Sequence, residues 1–315
     1  MFQRSAEMAI YAKMEETYGV IAAPTVSADV FKVHDVVLKA LDGETERDES
    51  AQNAWGSSEI FHVGTFVSLE FKMSICGAGT AGSEPEWGFF HKICGYAVTI
   101  DVGVDARYSL ISADGDSATL FVNVGGTRHP MTGVRGEVTR HFDAKKRPYF
   151  QYKLKGLWNA PVAKTVINPD FTGYQRPVPV GNEYTTASLH GVSLALISHM
   201  YANNNSVEFI DVPGYAGIDV NDREPGGDIT FLAPAIDTTN WFTIAKAGTQ
   251  GALILEHAGT DAGDGNHVRF ENPNTQLIQP DYTTVLGGKV GIKANLNMLA
   301  GADTAGNDEE LIIVS

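Results

Sequence analysis

The chain has 315 residues, 43% of them hydrophobic and 19% charged, with 33 glycines and a formal net charge of −15. That is a turn-rich globular composition, long enough for one large domain or two ordinary ones, and its negative field argues against phosphate-gripping nucleic-acid binding. The acid is uneven: residues 1–199 hold 22 acidic against 18 basic side chains, and residues 200–315 hold 16 against 5.

The first twenty residues lack the apolar core and cleavage pattern of a secretory signal. Nowhere do the roughly 18 apolar residues of a membrane-spanning helix run together. Cys76 and Cys94 form neither a disulfide framework nor a CxxC motif, so reduced, buried thiols in a cytoplasmic product are expected.

In chain order, Met8, Ala9, Ala12 and Met14 have helical spacing, which predicts an N-terminal helix and arm over residues 1–27. Short strand-like runs follow. "DVFKVHDVVLKA" is apolar, and "LDGETERDESAQNAWGSSE" is a long polar loop with a lone Trp55. "TFVSLEFKMSI" alternates, with Val67, Leu69, Phe71, Met73 and Ile75 on one face and Ser68, Glu70, Lys72 and Ser74 on the other. A short helix, "PEWGFFHKICG", is expected next, with Ser83 as N-cap and Pro85 in its first turn. "AVTIDV", "ARYSLIS", "ATLFVNV", "GEVTRHF" and "YFQYKLKG" read as strands, and "SADGDSATL" offers a DG hairpin turn. These elements make a first β module over residues 28–165.

Residues 166–185 are proline-rich and read as a linker. The order then recurs, which predicts a second, diverged β module over residues 186–315. "HGVSLALISHM" stands for "DVFKVHDVVLKA", and "GDITFLAPAIDTTNWFTIAKAG" for the strand, small-residue loop and helix. "KVGIKANLNML" is matched to "GVRGEVTRHF", and "ELIIVS" to "YFQYKLKG".

Gly77, Gly79 and Gly82 form G-x-G-x-x-G after a strand and before a helix, with Asp101 at the spacing of a dinucleotide fingerprint. The strand before it alternates with Glu70 and Lys72, unlike the continuous apolar first strand of such a fold. Glu84 and Glu86 sit where a pyrophosphate would bind, so a sharply turning loop is the expectation and no cofactor is. Lys145, Lys146 and Arg147 beside aromatics read as a hairpin tip rather than a single-strand-binding site. Asp261, Asp264 and Asn266 form a calcium-like loop without the full EF-hand pattern, so a polar hairpin turn is favoured. The scattered histidines lack HExxH and no G-x-S-x-G elbow is present, so no metal site and no catalytic residues are assigned.

Several of these stretches in order, "YAKMEETYGVIAAPTVSADV", "ALDGETERDES", "LEFKMSICGAGTAGSEPEWGFFHKICGYA", "ATLFVNVGGTRHPMTGVRGEV" and "RPYFQYKLKGLWNAP", resemble the tail tube proteins, or major tail proteins, of long-tailed, non-contractile bacteriophages (siphoviruses). The resemblance covers about residues 1–175. It implies a mainly β fold, antiparallel sandwich or barrel modules with a short flanking helix, and a structural virion protein rather than an enzyme. It implies self-association into rings of six modules, stacked as a tube around a tape-measure protein and capped by tail terminator and distal tail proteins. Phage DNA passes through without specific binding. The protein would be made in the host cytoplasm and reside in the virion tail. With two modules per chain, three chains complete a ring; with a decoration domain in the second half, six do. Assembly contacts are expected at Glu44, Arg47, Asp48 and Trp55 in the acidic loop and at Gly77, Gly79 and Gly82. The channel wall is expected to carry an acidic excess. The alternatives are a β-sandwich carbohydrate- or protein-binding module and, behind it, a nucleotide-binding enzyme.

Overall fold

The computed structural model describes residues 8–25, 29–50, 55–113, 115–164, 169, 171, 174–258, 265–301 and 306–315. Among the described residues the chain is mainly β and antiparallel, with two short α-helices. The first half contains β1 (Met8–Met14), β2 (Val30–Phe31), β3 (His34–Arg47), β4 (Ile60–Ser74), α1 (Gly88–Lys92), β5 (Tyr96–Asp101), β6 (Asp105–Leu110), β7 (Ala118–Val124), β8 (Thr127–Asp143), β9 (Tyr149–Trp158) and β10 (Val162–Ala163). The second half contains β11 (Thr185–Leu189), β12 (Val192–Ser193), β13 (Leu196–Ala202), β14 (Asn205–Val212), β15 (Tyr215–Arg223), β16 (Gly226–Leu232), α2 (Trp241–Lys246), β17 (Gln250–Ala258), β18 (His267–Thr284), β19 (Val290–Met298) and β20 (Leu311–Val314).

Strand order is the informative feature. In the first half neighbours run β1-β7-β8-β9-β4-β3, with β2 on β1 and β10 on the start of β8. In the second they run β11-β17-β18-β19-β16-β13, with β12 on β11 and β20 on the first part of β18. Each element of one series has a counterpart at the same place in the other, in the same chain order. Even the irregularities correspond. β8 carries an extra residue between Thr132 and Arg135 against β9, and β18 one between Ile278 and Asp281 against β19. Such bulges let a long strand bend and serve two partners. Two hairpins are additions: β5–β6 after α1 in the first half, and β14–β15 between β13 and β16 in the second.

The halves are joined by strand pairing. The C-terminal part of β8 pairs with β13, with Phe142 opposite His199 and Arg140 opposite Tyr201. β20 returns to pair with β6. One continuous sheet thus runs β3-β4-β9-β8-β13-β16-β19-β18. Its inner face is apolar. Phe71, Phe150, Tyr152 and Leu154 pack against Trp87 and Phe90 of the α1 region and against Ile10, Leu120 and Val122 of β1 and β7. Phe231, Ile292 and Leu296 pack likewise against Trp241 of α2. The main core also takes in Phe270 and Ile312, so the two halves share it.

Several expectations are corrected. Met8–Met14 is a strand, not a helix: Ala9 and Tyr11 pack on Phe121 while Ile10 and Ala12 face the main core. A strand buried on both faces has no polar alternation, and pairing along β7 overrides helical spacing. The α1 helix starts at Gly88 after Trp87, so Ser83 and Pro85 lie upstream of it. The strands either side of "SADGDSATL" do not form a hairpin, since β6 pairs with β5 and β20 and β7 with β1 and β8. Finally, β19 takes the place of β9, and β20 that of β10, one strand later than the sequence matching has them.

Candidate assembly surfaces

β3 and β4 extend beyond the sheet as a hairpin arm. Glu44 sits opposite Val63 and Arg47 opposite Ile60, and the Asp48 N–H donates to Glu59 O at 2.9 Å. Ser50 donates to the Asp48 carboxylate and holds its pKa below the usual range. Ile60, Phe61 and Val63 are exposed on the arm and Leu41 on the sheet at its base, and Trp55 beyond the arm is wholly exposed. The structure therefore brings Glu44, Arg47, Asp48 and Trp55 to one end of the molecule. Residues 51–54 of that loop lie outside the described residues.

Gly77, Gly79 and Gly82 are at the far end of β4 from the arm. A Cβ at Gly77 would lie 2.2 Å from Gly265 O, and one at Gly82 would lie 2.3 Å from Asp101 O. Gly79 has φ +77° and its N–H donates to Gly265 O at 3.1 Å. These glycines permit backbone-to-backbone contact within the chain. Cys76 beside them is pushed up to about 11, chiefly by burial, the wrong direction for a reactive thiolate. Asp261 and Asp264 lie outside the described residues; Asn266 donates to Gln175 at 3.2 Å. Among the described residues no cluster of His, Cys, Asp and Glu could hold a metal ion.

The hairpin β14–β15 occupies in the second half the place that the arm occupies in the first. It folds back over the polar face of the first half. Phe209 packs on Phe66 with centroids 5.4 Å apart, Lys155 Nζ donates to Val207 O at 2.7 Å, and Arg135 donates to Ile218 O at 3.1 Å. Arg135 also stands 3.7 Å from Asp219. Both hairpins are acidic: Asp42, Glu44, Glu46 and Asp48 on one, Glu208, Asp211, Asp219 and Asp222 on the other.

At the opposite end of the sheet lie the β8–β9 and β18–β19 turns. They carry Lys145, Lys146 and Arg147 in one and Lys289 in the other, all exposed. Lys146 reaches Asp143 at 3.0 Å. The basic tip is thus a hairpin turn, as expected. Between the two ends the polar face of the sheet carries both signs: Glu70, Glu137, Asp143, Asp228 and Asp281 alternate with Lys72, Lys153, Lys155, Arg135 and Lys293. A transverse row, Ser74, Tyr149, His141, Met200, Asp228, Asn295 and Ile278, crosses seven strands without a break.

Sequence reasoning missed the buried tie between the halves. Arg140 of β8 pairs with Glu310 just before β20, and Tyr96 donates to the same carboxylate. The guanidinium lies 4.0 Å from the Phe270 ring centroid and 4.8 Å from that of Tyr201. Burial raises the Glu310 pKa, and Arg140 opposes that rise. Arg140 lies inside a stretch that reads as a strand and Glu310 opens another, and neither has a signal of burial in its own segment; only the inward phase of β8 after its bulge could have placed Arg140 inside. A scan against protein-family models finds no match, and a search among curated proteins finds none either.

Proposed function

We propose that this protein is the tail tube protein of a long-tailed bacteriophage, a structural subunit whose rings stack into the conduit for DNA. The observation that carries this reading is the continuous sheet of eight strands, built from two series of identical order. We read those series as a duplicated tube module, so that three chains supply six modules and close a ring that is three-fold in symmetry and six-fold in appearance. Closure removes the unpaired sheet edges that otherwise invite open-ended aggregation.

Three copies of an eight-strand sheet make a barrel with more strands than the 16–18 that already leave an aqueous channel open. With 24 strands ~4.8 Å apart and tilted by ~40°, the backbone-to-backbone width is about 45–50 Å. The polar face is the channel wall in this reading. Of the ten charges named on that face, Lys155 and Arg135 are engaged by the β14–β15 hairpin, which leaves Glu70, Glu137, Asp143, Asp228 and Asp281 against Lys72, Lys153 and Lys293, in keeping with the acidic excess expected from composition. Interspersed charge offers no continuous basic track for phosphates, which suits a conduit that DNA crosses without sticking.

The opposite charge of the two ends supports head-to-tail stacking, an interface that propagates instead of closing. The acidic hairpins of one ring face the Lys145, Lys146, Arg147 and Lys289 turns of the next. The tape-measure protein fills the tube during assembly, and terminator and distal tail proteins cap it. The test is electron microscopy of concentrated purified protein. Tubes or stacked rings are the expected result. A species that stays monomeric at high concentration and binds a saccharide or peptide would replace this reading with a binding module.

A further inference from the structure

β20 is held as an inserted strand. Its four residues, Leu311–Val314, pair on one edge with Val268–Glu271 of β18 and on the other with Ala106–Ser109 of β6. β18 belongs to the second half and β6 to the first, so one short strand spans both. Ser315 extends the ladder by exchanging both backbone hydrogen bonds with His267, at 2.9 and 3.0 Å. Ile312 and Val314 are buried in the shared core. The two residues before the strand are gripped by polar groups of both halves. Arg140 and Tyr96 engage the Glu310 carboxylate, Arg223 engages that of Glu309 at 3.0 Å, and Asn272 donates to Glu309 O at 2.9 Å.

The slot that β20 fills has the parts of a peptide-binding site. It offers two facing strand edges, the buried Arg140 guanidinium at its head, Arg223 beside it, and apolar sockets for alternate side chains. Such a site takes an extended segment through its backbone and selects it through those sockets. The matching segment carries two adjacent carboxylates followed by branched apolar residues, and Glu309–Val314 is the one stretch of the sequence that does. Among the described residues β6 has no strand partner besides β5 and β20, and a two-stranded hairpin is marginal by itself. With β20 out of the slot, the strand pairing that still joins the halves, among the described residues, is the five residue pairs between β8 and β13. Opening is eased by the charges, because a buried ion pair gives up hydration that both partners regain in an open slot. Short elements of this kind belong to the low-stability end of a fold.

We propose that the slot between β6 and β18 is a strand-acceptor site for an extended acidic-apolar segment, and that Glu309–Val314 fills it as a clasp which opens and closes as a unit while β8 and β13 stay paired. Opening frees the β5–β6 hairpin and lets the two halves turn about the β8–β13 junction; closing fixes them. The clasp does not rest on the tube reading.

Hydrogen exchange of the unaltered chain is the first arm of the test. The amides of β20 and those of β6 that pair with it should exchange together, about tenfold or more faster than those at the β8–β13 junction. The second arm offers the full chain an excess of a fluorescent peptide spanning Asn307–Ser315. It should be taken up saturably, and the same peptide with Glu310→Gln about tenfold or more weakly, since it leaves Arg140 without its partner. The third arm closes the slot with Arg107→Cys and Ile313→Cys, which face each other across β6 and β20, in a Cys76→Ser background. Directly opposed Cα atoms in such a pair lie about 4.5–5.5 Å apart, inside the range a disulfide spans. Oxidation should abolish peptide uptake and reduction restore it. Equal protection of β20 and of the β8–β13 junction would overturn the clasp. No uptake, or uptake that survives the disulfide, would overturn the acceptor site. The first two arms use the unaltered chain, so they decide the matter even where the cysteine variant fails to fold.

Discussion

The buried Arg140–Glu310 pair allows a prediction whose sign and size follow from geometry. Both side chains are about 1% exposed, and Arg140 leans on Phe270 and Tyr201. Removing one partner of a buried pair costs about 3–5 kcal/mol, because the other charge is left without compensation. The two single variants should differ in their response to pH. In Glu310→Gln the remaining guanidinium cannot shed its proton, so the full penalty persists at every pH. In Arg140→Met the remaining carboxyl can take one up. Its folded pKa, already raised by burial, rises further once Arg140 no longer opposes it. The unfolded chain then releases that proton more readily than the folded one, so stability falls as pH climbs above the ordinary carboxyl range and returns as pH is lowered. Between pH 7.5 and 5.5 the recovery relative to wild type can reach about 2.7 kcal/mol, two pH units at 1.36 each. Urea unfolding followed by tryptophan fluorescence, with wild type measured at each pH, reads this directly. The double variant should lose less than the sum of the singles. A loss below about 1 kcal/mol for Glu310→Gln, or the same loss for Arg140→Met at both pH values, would refute the argument.

Four further outcomes are expected. His91 and His199 are fully buried, and burial holds both down to about 3, so wild-type stability should be complete above the unfolded-state value near 6.5 and fall as pH drops below it. About 2 kcal/mol per histidine should be lost by pH 5, read as a shift in urea midpoint, and a flat profile would contradict it. Gly77→Val should destabilise by roughly 2 kcal/mol or more, because its Cβ meets Gly265 O. Calorimetric titration of wild type with NAD, FAD or ATP should give no saturable heat, and a micromolar dissociation constant would restore the nucleotide reading. Reversing the basic turn with Lys145→Glu, Lys146→Glu and Arg147→Glu should leave single rings intact but abolish their stacking, as seen by microscopy; normal tubes would show that the turns do not carry the ring-to-ring contact.

The sequence by itself determined the local elements wherever one side of a strand meets solvent. β4 and β9 alternate residue by residue, and their phases place Phe71 and Tyr152 inside and Glu70 and Lys153 outside. The strand, small-residue loop and tryptophan-led helix were legible twice, with Trp87 and Trp241 in matching core positions. Only the tertiary structure decided what lies opposite what. β1 reads as helical because its burial on both faces removes the alternation that marks a strand. The match of β19 to β9 was invisible because bulges change residue spacing while preserving strand order. The acidic loop and the basic turn were each visible as charge, but their placement at opposite ends of one sheet depends on antiparallel pairing between distant residues. The slot that β20 fills between β6 and β18 exists only in three dimensions: a strand's hydrogen-bonding groups leave no mark in its sequence, since every residue type but proline carries the same ones.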